Sequence, residues 1–375
     1  MNVILRVLLD LLLRFLRTLD LPLLAALLAL MGIGLATLYS ASNESMRVVA
    51  TQGAYFTVGL GALWVASRVP AHILKQLTPL AYVASLVPLV LVLFIGRGKY
   101  GNHWINLGFF NFQPSELAKL TLPMMLAWTL DRHRLPPRPS VLLTALVVIA
   151  LPVGLVLLQH DLGTAVLVLA SGVFVLFLAG VSWWWFAAAG AVGIAGFSLA
   201  MFAPIRWFSF LRPYQQDRIL TFRNPENDPM GAGWNIIQSK IAIGGGGLTG
   251  KGWGQGTQSH LDYLPEHTTD FVFSVLSEDF GWIGVVVVLA LYLFVVGRCL
   301  WIAAESRDGY ARLLAGTLGL SLFVYVLVNG GMISGLLPVV GVPMPLLSYG
   351  GTAPVALLLG FGVVMALKAR RTVNR

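Results

Sequence analysis

The sequence predicts an all-α polytopic membrane protein with about ten transmembrane helices. Hydrophobic residues make up 57% of the chain and charged residues only 11%, whereas a soluble domain averages roughly 25% charged residues. Long uncharged runs, such as those at 21–38 and 285–296, recur along the chain. A soluble protein with a large core is therefore excluded.

Apolar windows of roughly the 20 residues needed to cross a bilayer follow one another along the chain. They lie near 21–41, 50–68, 73–96, 114–131, 140–158, 162–181, 184–203, 270–303, 310–335 and 352–368. The connection 204–269 is longer than the others and carries charges throughout. We predict a single membrane domain over 1–375, with 204–269 as a large extracytoplasmic loop between spans seven and eight.

The positive charges predict the orientation, because cytoplasmic loops carry an excess of Lys and Arg. The short loops and ends of one side hold Arg6, Arg14, Arg17, Arg68, Lys75, Arg132, Arg134, Arg138, Arg298, Arg307, Arg312, Lys368, Arg370, Arg371 and Arg375. The short loops of the other side hold only Arg47, Arg97 and Lys99. Both termini are therefore predicted in the cytoplasm. The net charge of +9 is a topology signal with some attraction to anionic membrane lipids, and no nucleic-acid partner is expected.

The first twenty residues predict a helix lying in the inner membrane interface. Arg6, Asp10, Arg14 and Arg17 form one charged stripe on a Leu-rich segment, the pattern of an interfacial amphipathic helix.

The single cysteine, Cys299, excludes an intramolecular disulfide framework and is expected to behave as a small apolar residue.

Charges at membrane depth are costly unless they are paired or used. Glu116 and Lys119, at the start of the fourth span, share a helix face and can form an ion pair. The pair is either a structural lock between helices or part of a cavity wall that touches substrate. Asp161 begins the sixth span and can cap its N-terminus.

The histidines lack the spacing of a metal site. Binding of one divalent cation, Mg or Mn, by carboxylates stays an open alternative.

The outer loop contains a predicted helix and a group of cations. Apolar residues between Trp234 and Ile243 predict a short amphipathic helix on the membrane surface. The glycine-rich stretch 244–254 permits tight turns or a close approach to a ligand. The loop cations Arg212, Arg218, Arg223, Lys240 and Lys251 suit an anionic, phosphorylated ligand, although an ordinary solvated loop would carry such charges too.

Two further segments border the membrane on the outer side. Residues 335–352 contain three prolines and no charge. Irregular backbone at that depth must be buried in protein or line a cavity, so we predict a re-entrant segment or tight packing between spans. Asp270 lies where the outer loop enters a hydrophobic helix. A carboxylate there is costly unless it has a function.

Five motifs resemble the SEDS family (shape, elongation, division and sporulation), over nearly the whole chain. They begin with Phe112–Lys119, Asp161–Thr164 and Gln238–Gly244, and continue with the segments 264–271 and 341–351. The run Gly250–Trp253 followed by 256–259 is more similar to the elongation members than to the division members.

The resemblance implies a peptidoglycan glycosyltransferase of the bacterial cytoplasmic membrane. Such an enzyme polymerises lipid II on the outer face and works with a class B penicillin-binding protein and other proteins of the elongation machinery. The family's essential Asp corresponds to Asp270. The chain departs from the family in two places: His267-Thr268 replaces its usual Arg-His, and His160 replaces a Pro. The first departure weakens any obligatory role for those two neighbours.

We therefore expect Asp270 to be the catalytic residue. Residues expected to bind substrate or support the site are Glu116, Lys119, Asp161, Arg218, Lys240, Glu266 and Ser348. In this hypothesis, Asp270 is the general base that deprotonates an attacking sugar hydroxyl, and partial burial raises its pKa. Cations, with Lys240, Arg218 or Lys119 as candidates, or a divalent metal would stabilise the departing pyrophosphate.

Two other classes of function stay open at this point. A flippase for lipid-linked sugars would also need polar groups within a helical bundle. However, the two halves of the chain lack the corresponding broken helices typical of an inverted-repeat transporter, and the polar groups cluster on the outer side. A purely structural scaffold for cell-wall synthesis would tolerate neutralisation of Asp270.

Overall fold

The computed structural model describes residues 18–96, 103–106, 108, 111–209, 213–228, 231–260 and 266–373. The predicted interfacial helix at 1–20 lies outside the described residues except for its last three. Within the described part, the predicted all-α architecture is confirmed. The strands described are β1 (Ile105–Asn106) and β2 (Asn111–Phe112), which pair antiparallel.

Each of the ten predicted spans coincides with a helix. These are α1 (Leu21–Ala41), α2 (Met46–Arg68), α3 (Ala71–Ile95), α4 (Ser115–Asp131), α5 (Pro139–Leu158), α6 (Leu162–Leu178), α7 (Trp183–Phe202), α11 (Val272–Glu305), α12 (Gly309–Ile333) and α13 (Thr352–Val373). Among the described residues, seven are long and apolar enough to cross a membrane, and α6 and α13 are shorter apolar helices. The number of spans is therefore not confirmed as ten, because the 17-residue α4 carries Glu116, Lys119 and Asp131.

The outer loop contains further helices. They are α8 (Pro213–Arg223), α9 (Ala232–Gly245) and α10 (Thr257–His260), together with 3-10 turns at Ile205–Phe208 and Pro225–Asn227. The predicted helix near 234–243 is thus present as α9. Its inner face meets protein, because Ile236 is buried and the Ser239 hydroxyl binds Ser274 (2.7 Å) and the Ile333 carbonyl (2.7 Å). Helix α9 packs on the outer ends of α11 and α12, so protein covers part of its apolar face, while Ile241 is exposed. Its position on the membrane surface stays a prediction.

Helix α11 is interrupted at Gly281, whose φ is 62° and ψ is −160°. The break frees backbone groups, and the loop 247–252 pairs with them. The Lys251 and Gly252 N–H groups donate to the carbonyls of residues 278 (2.9 Å) and 279 (3.1 Å). In return, the N–H groups of residues 282 and 283 donate to the carbonyls of 247 (3.0 Å) and 248 (3.1 Å). Because irregular backbone within a membrane needs protein partners, this loop completes the broken helix.

Close packing at the break explains two glycines of the glycine-rich stretch, Gly246 and Gly250. A Cβ on Gly250 would lie 2.0 Å from the Asp279 carbonyl oxygen. Glu278 is fully buried and accepts hydrogen bonds from Lys251 Nζ (2.6 Å) and the Thr257 N–H (2.9 Å). These two glycines therefore approach the chain's own helix, and Lys251 is paired with an acid of that helix.

Helix α7 lies at the edge of the bundle and buries none of its residues. Arg223, at the end of α8, donates to the carbonyls of Ala200 (2.7 Å) and Ala203 (2.7 Å) at the C-terminal end of α7. Cations at this end of a helix satisfy its last carbonyls and oppose its dipole. Arg223 is thus committed to joining α7 to α8.

Ion pairs fasten the helix ends on the side predicted to be cytoplasmic. Asp20 caps α1 through the Leu23 N–H (2.9 Å) and binds both Arg298 (2.8 Å) and Lys368. Burial raises the pKa of Asp20, but the hydrogen bonds from Arg298 and Lys368 outweigh this and hold it at about 2. One carboxylate thereby joins α1, α11 and α13. A second cluster, of Lys75 with Asp131 and Asp308, joins α3, α4 and the start of α12.

Candidate active site

Asp270 is half-buried immediately before α11, and its backbone is held by a set of hydrogen bonds. The carbonyls of residues 268, 269 and 270 accept from the Tyr349 N–H (2.8 Å), the Ser348 hydroxyl (2.6 Å) and Asn329 Nδ2 (2.8 Å), respectively. Two of these donors belong to the segment 341–350 and the third to α12. The acid therefore has a fixed backbone, although it lies outside a helix.

The segment 335–351, predicted to be re-entrant or tightly packed between spans, is irregular backbone whose middle part is buried in protein; it is called the re-entrant segment below. Met344, Leu346 and Leu347 are each no more than 1% exposed. The first helix makes room for the segment at Gly34, where a Cβ would lie 2.3 Å from the Leu346 carbonyl oxygen. Gly341 has a φ of 73° and faces the acid, because its Cβ position is 3.6 Å from Asp270 Oδ2. The segment thus contacts both the bundle and the carboxylate.

Several charges act on the carboxylate of Asp270. Burial raises its pKa most strongly, and the negative charges of Glu266 and Asp161 raise it further. Arg218, on α8, lowers it, and the resulting pKa is about 6. A carboxyl group with this pKa can hold or release a proton close to neutral pH, as a general base requires.

A partly open cavity lies along the re-entrant segment, whose residues 343–346 and 348–350 line it. Glu116 and Lys119 form an ion pair in it (2.7 Å), with side chains 9% and 12% exposed. Lys119 Nζ also lies 4.9 Å from the ring centre of Tyr325. The cavity is otherwise mostly apolar and is lined by Leu120, Leu318, Ser321, Leu322, Pro343, Met344, Pro345, Leu346, Ser348, Tyr349, Gly350, Ala353, Pro354, Ala356, Leu357, Gly360 and Phe361.

Ser348 connects the cavity with the acid. Its hydroxyl donates to the Thr269 carbonyl (2.6 Å) and accepts from the Met344 N–H (2.8 Å). The same residue lines the cavity. Its hydroxyl proton is therefore committed to the backbone beside Asp270.

Asp161 performs the predicted cap and also faces the site. One of its oxygens accepts from the Thr164 N–H (3.0 Å) at the start of α6, and the other accepts from Gln113 Nε2 (3.1 Å). Burial lowers the pKa of His103, and the charge of Asp161 opposes that shift. Asp161 thus brings the start of α6 and the segment before α4 to the same end of the bundle as Asp270.

The predicted residues fall into three groups. Glu266, Asp161 and Arg218 act on Asp270 through their charges, whereas the cavity contains Glu116, Lys119 and Ser348. Lys240 forms the third group by itself. It lies on the exposed side of α9, where a Cβ on Gly335 would be 2.2 Å from its Cε. Of the five loop cations, Lys251 and Arg223 have structural partners, and Arg212 lies outside the described residues.

Sequence reasoning missed two residues that the geometry brings to the site. Asn329 binds the Asp270 carbonyl, and Tyr325 lies against Lys119. Both are uncharged residues of an apolar span, whereas the site residues predicted from the sequence were charged, with the exception of Ser348. An Asn within a hydrophobic span is itself a signal, because a buried amide needs partners.

The donor set gives no support for the divalent cation left open by the sequence. In the described part of the chain, no three His, Cys, Asp or Glu side chains converge closely enough to hold a metal ion. The carboxylates Glu266 and Asp161 act on Asp270 through their charges, over longer distances. The chemistry proposed below uses the chain's own side chains.

These features define a polytopic membrane protein with an acid of raised pKa beside an apolar-walled cavity. The family profile for FtsW, RodA and SpoVE, described as cell cycle protein, matches residues 14–373. The chain belongs to this family.

Known relatives cover almost the whole chain. It is 45% identical to the peptidoglycan glycosyltransferase MrdB of Escherichia coli (strain K12), over 94% of each sequence. It is 32% identical to the peptidoglycan glycosyltransferase RodA of Treponema pallidum, over 94% of this chain and 98% of the relative.

Solved structures share the fold. A chain of a peptidoglycan synthase complex that coordinates polymerization and crosslinking matches with a TM-score of 0.78 and 33% identity, over 94% of this chain and 98% of that one. The rod shape determining protein RodA of Thermus thermophilus matches with a TM-score of 0.71 and 30% identity, over 94% and 96%.

Proposed function

We propose that this chain polymerises lipid II into glycan strands on the outer face of the cytoplasmic membrane during cell elongation, with Asp270 as the general base. The chain is a multi-pass membrane protein and a peptidoglycan glycosyltransferase, as its relatives' names indicate. The observation that carries the assignment of the base is the pKa of Asp270, which burial and neighbouring acids raise to about 6. At neutral pH the group is ionised and ready to accept a proton.

The proposed reaction is a single in-line displacement. A sugar hydroxyl of one lipid II molecule attacks the anomeric carbon of the growing glycan. The new oxygen–carbon bond forms while the bond from that carbon to the pyrophosphate oxygen breaks, and Asp270 takes the hydroxyl proton. Turning an α-linked pyrophosphate into a β-linkage inverts the centre, so the step needs no enzyme nucleophile.

Of the three candidate cations, two are placed to stabilise the anionic leaving group, undecaprenyl pyrophosphate. Arg218 is the candidate nearest to the chemistry, because its charge acts on Asp270. Lys119 is paired with Glu116 in the cavity, whose apolar lining suits the polyprenyl part of the substrate. Preorganised positive charge stabilises a departing anion. Lys240 is the weakest of the three candidates, since it lies on the exposed side of α9.

Replacing Asp270 by Asn tests the proposal. Loss of the general base is expected to slow polymerisation by about 10²- to 10⁴-fold. Purified full-length Asp270→Asn protein, combined with its transpeptidase partner, would be given lipid II and its glycan products separated by size. The matched control is Asp217→Asn, which makes the same chemical change at an exposed position of α8. A folded Asp270→Asn protein with wild-type activity would remove Asp270 from the mechanism.

A flippase is not favoured by the distribution of polar groups. Several described charges of the inner side are used in ion pairs, such as Arg298 with Asp20 and Lys75 with Asp131. The candidates for substrate contact lie at the other end of the bundle. Polymer accumulating from lipid II in detergent, where no second compartment exists, distinguishes polymerisation from transport.

The partner is proposed to be a class B penicillin-binding protein. The supporting observation is that the similar chain with a TM-score of 0.78 comes from a peptidoglycan synthase complex that also crosslinks. Co-purification of the full chain with such a transpeptidase from membranes, followed by comparison of polymerisation with and without it, tests this proposal.

A further inference from the structure

Asn329 joins the backbone of the acid to the re-entrant segment. It is fully buried in α12, and its amide nitrogen donates to the carbonyl of Asp270 (2.8 Å) and to the carbonyl of Val342 (2.8 Å). Both hydrogens of the amide group are thereby used. Of the three donors that hold residues 268–270, Asn329 is the one that binds Asp270 itself.

The same amide has a buried oxygen, Oδ1, with no hydrogen-bond partner. A buried acceptor left without a partner is destabilising, and an asparagine in an apolar span is costly to begin with. An arrangement optimised only for stability would satisfy both ends of the amide. The free-energy cost of the unpaired Oδ1 is explained if the two hydrogen bonds donated by Nδ2 hold a geometry that the reaction needs.

The face of α12 that carries Asn329 also reaches the cavity. Tyr325 lies one turn earlier, and residues four apart on a helix share a face. Its ring centre is 4.9 Å from Lys119 Nζ. One helix face therefore contacts the buried ion pair of the cavity through Tyr325 and the acid through Asn329.

We propose that Asn329 is a positioning residue for glycosyl transfer, holding the backbone of Asp270 in register with the re-entrant segment that forms the cavity wall. The inference rests on the proposed function, in which Asp270 is the base. A base must come within hydrogen-bond reach of the proton it removes, and small misplacements of a reacting group cause large losses of rate. Asn329 contacts neither substrate nor carboxylate in this role; it acts through the main chain.

The test is Asn329→Leu, which keeps the size and shape of the side chain and removes both donors. Thr317→Val is the matched control, because Thr317 is a fully buried polar residue of the same helix whose hydroxyl has no partner. Each full-length variant would be purified with its transpeptidase partner, and its folded fraction measured by size exclusion and thermal unfolding. Values of kcat and of KM for lipid II would then be determined per folded protein, over a range of pH.

We expect kcat of Asn329→Leu to fall by about 10- to 100-fold while KM stays within about twofold. The pH at which activity is half-maximal should also move, because a displaced carboxylate lies at new distances from Glu266, Arg218 and Asp161. Loss of folded protein alone would scale the rate equally at every pH. Thr317→Val should match the wild type in all these measurements.

An unchanged kcat, or an unchanged midpoint of the pH profile, would overturn the role of Asn329. If Asn329→Leu does not fold, Asn329→Ser, which retains a hydroxyl donor, would be judged by the same two criteria. Asp270→Asn is measured alongside. An inactive Asp270→Asn with a normal Asn329→Leu overturns the positioning role and leaves the proposed function standing, whereas an active Asp270→Asn overturns both.

Discussion

At the scale of single residues, the chemistry of Asp270 depends on charges from three separate parts of the chain. Glu266 precedes it in the same turn, Asp161 caps α6, and Arg218 lies on α8. Burial and the two acids favour the protonated form, while Arg218 favours the ionised form. The balance leaves a carboxyl group that is ionised at neutral pH and is protonated as the pH falls through about 6.

Two substitutions should move the pH profile of polymerisation in opposite directions. Glu266→Gln removes a negative charge and lowers the pKa of Asp270, so activity should persist to lower pH. Arg218→Gln removes a positive charge and raises that pKa, so activity should be lost at higher pH than in the wild type. Each shift is expected to be about half a pH unit to one unit. Shifts in the same direction would show that these charges do not act on the titrating base.

The sequence singled out Asp270, because a carboxylate at a membrane boundary is costly unless it has a function, and its catalytic role stays a prediction. It could not rank the loop cations. Lys251, Arg223 and Arg218 look alike in a polar loop, and only the folded chain reveals that the first pairs with Glu278 and the second caps α7. Asn329 was missed because its role depends on a carbonyl that lies 59 residues away in sequence.

At the scale of elements, the break in α11 and the glycine-rich loop form one unit. The loop 247–252 supplies donors and acceptors to the helix where Gly281 interrupts it. This unit lies two to three turns along α11 from its first residues, which closely follow Asp270. It fixes the outer part of α11 relative to the long outer loop, and thereby the end of the helix at which the acid lies.

Replacing Gly250 by Ala should destabilise this unit. Its φ is 82°, a conformation that residues with a side chain rarely adopt, and the new Cβ would lie 2.0 Å from a backbone carbonyl oxygen. The expected loss of stability is on the order of 2–4 kcal/mol, seen as a lower thermal midpoint in detergent. Gly154→Ala, on α5, is the control, because a Cβ there meets nothing within 4 Å. Equal midpoints for the two variants would contradict the packing described for the loop.

Hydropathy predicted the position of the spans well, since twenty apolar residues in a row leave few alternatives in a membrane protein. It predicted the surroundings of α9 less well. An amphipathic pattern indicates that one face is apolar, but it does not distinguish lipid from protein as the partner of that face. The contacts of Ile236 and Ser239 show that protein covers part of that face, while Ile241 is exposed.

At the scale of the whole molecule, the two ends of the bundle are held in different ways. Ion pairs centred on Asp20 and Asp131 join the helices at the predicted cytoplasmic end. At the other end, the re-entrant segment and the outer-loop helices pack around the acid and the cavity. The inner end thus contributes stability, and the outer end carries the proposed chemistry.

Asp20→Asn should therefore reduce stability and leave the catalytic chemistry intact. Asp20 has a lowered pKa, so its contribution is present at neutral pH and is lost only as the pH falls toward about 2. The substitution leaves Arg298 and Lys368 without their shared partner. We expect a loss of about 2–3 kcal/mol, below the value for fully buried pairs because both cations are partly exposed. A normal thermal midpoint, or an altered pH midpoint of activity in the folded protein, would contradict this assignment.

The central claim is that lipid II is polymerised with the Asp270 carboxylate as the base. The most direct measurement is the rate of glycan formation between about pH 5 and 8 by wild-type and Asp270→Asn proteins of equal folded fraction. The wild-type rate should rise with pH through a midpoint near 6. The variant should retain only a slow rate, at least about 100-fold lower, without that midpoint. A wild-type rate from Asp270→Asn, or the same midpoint in both proteins, would contradict the claim.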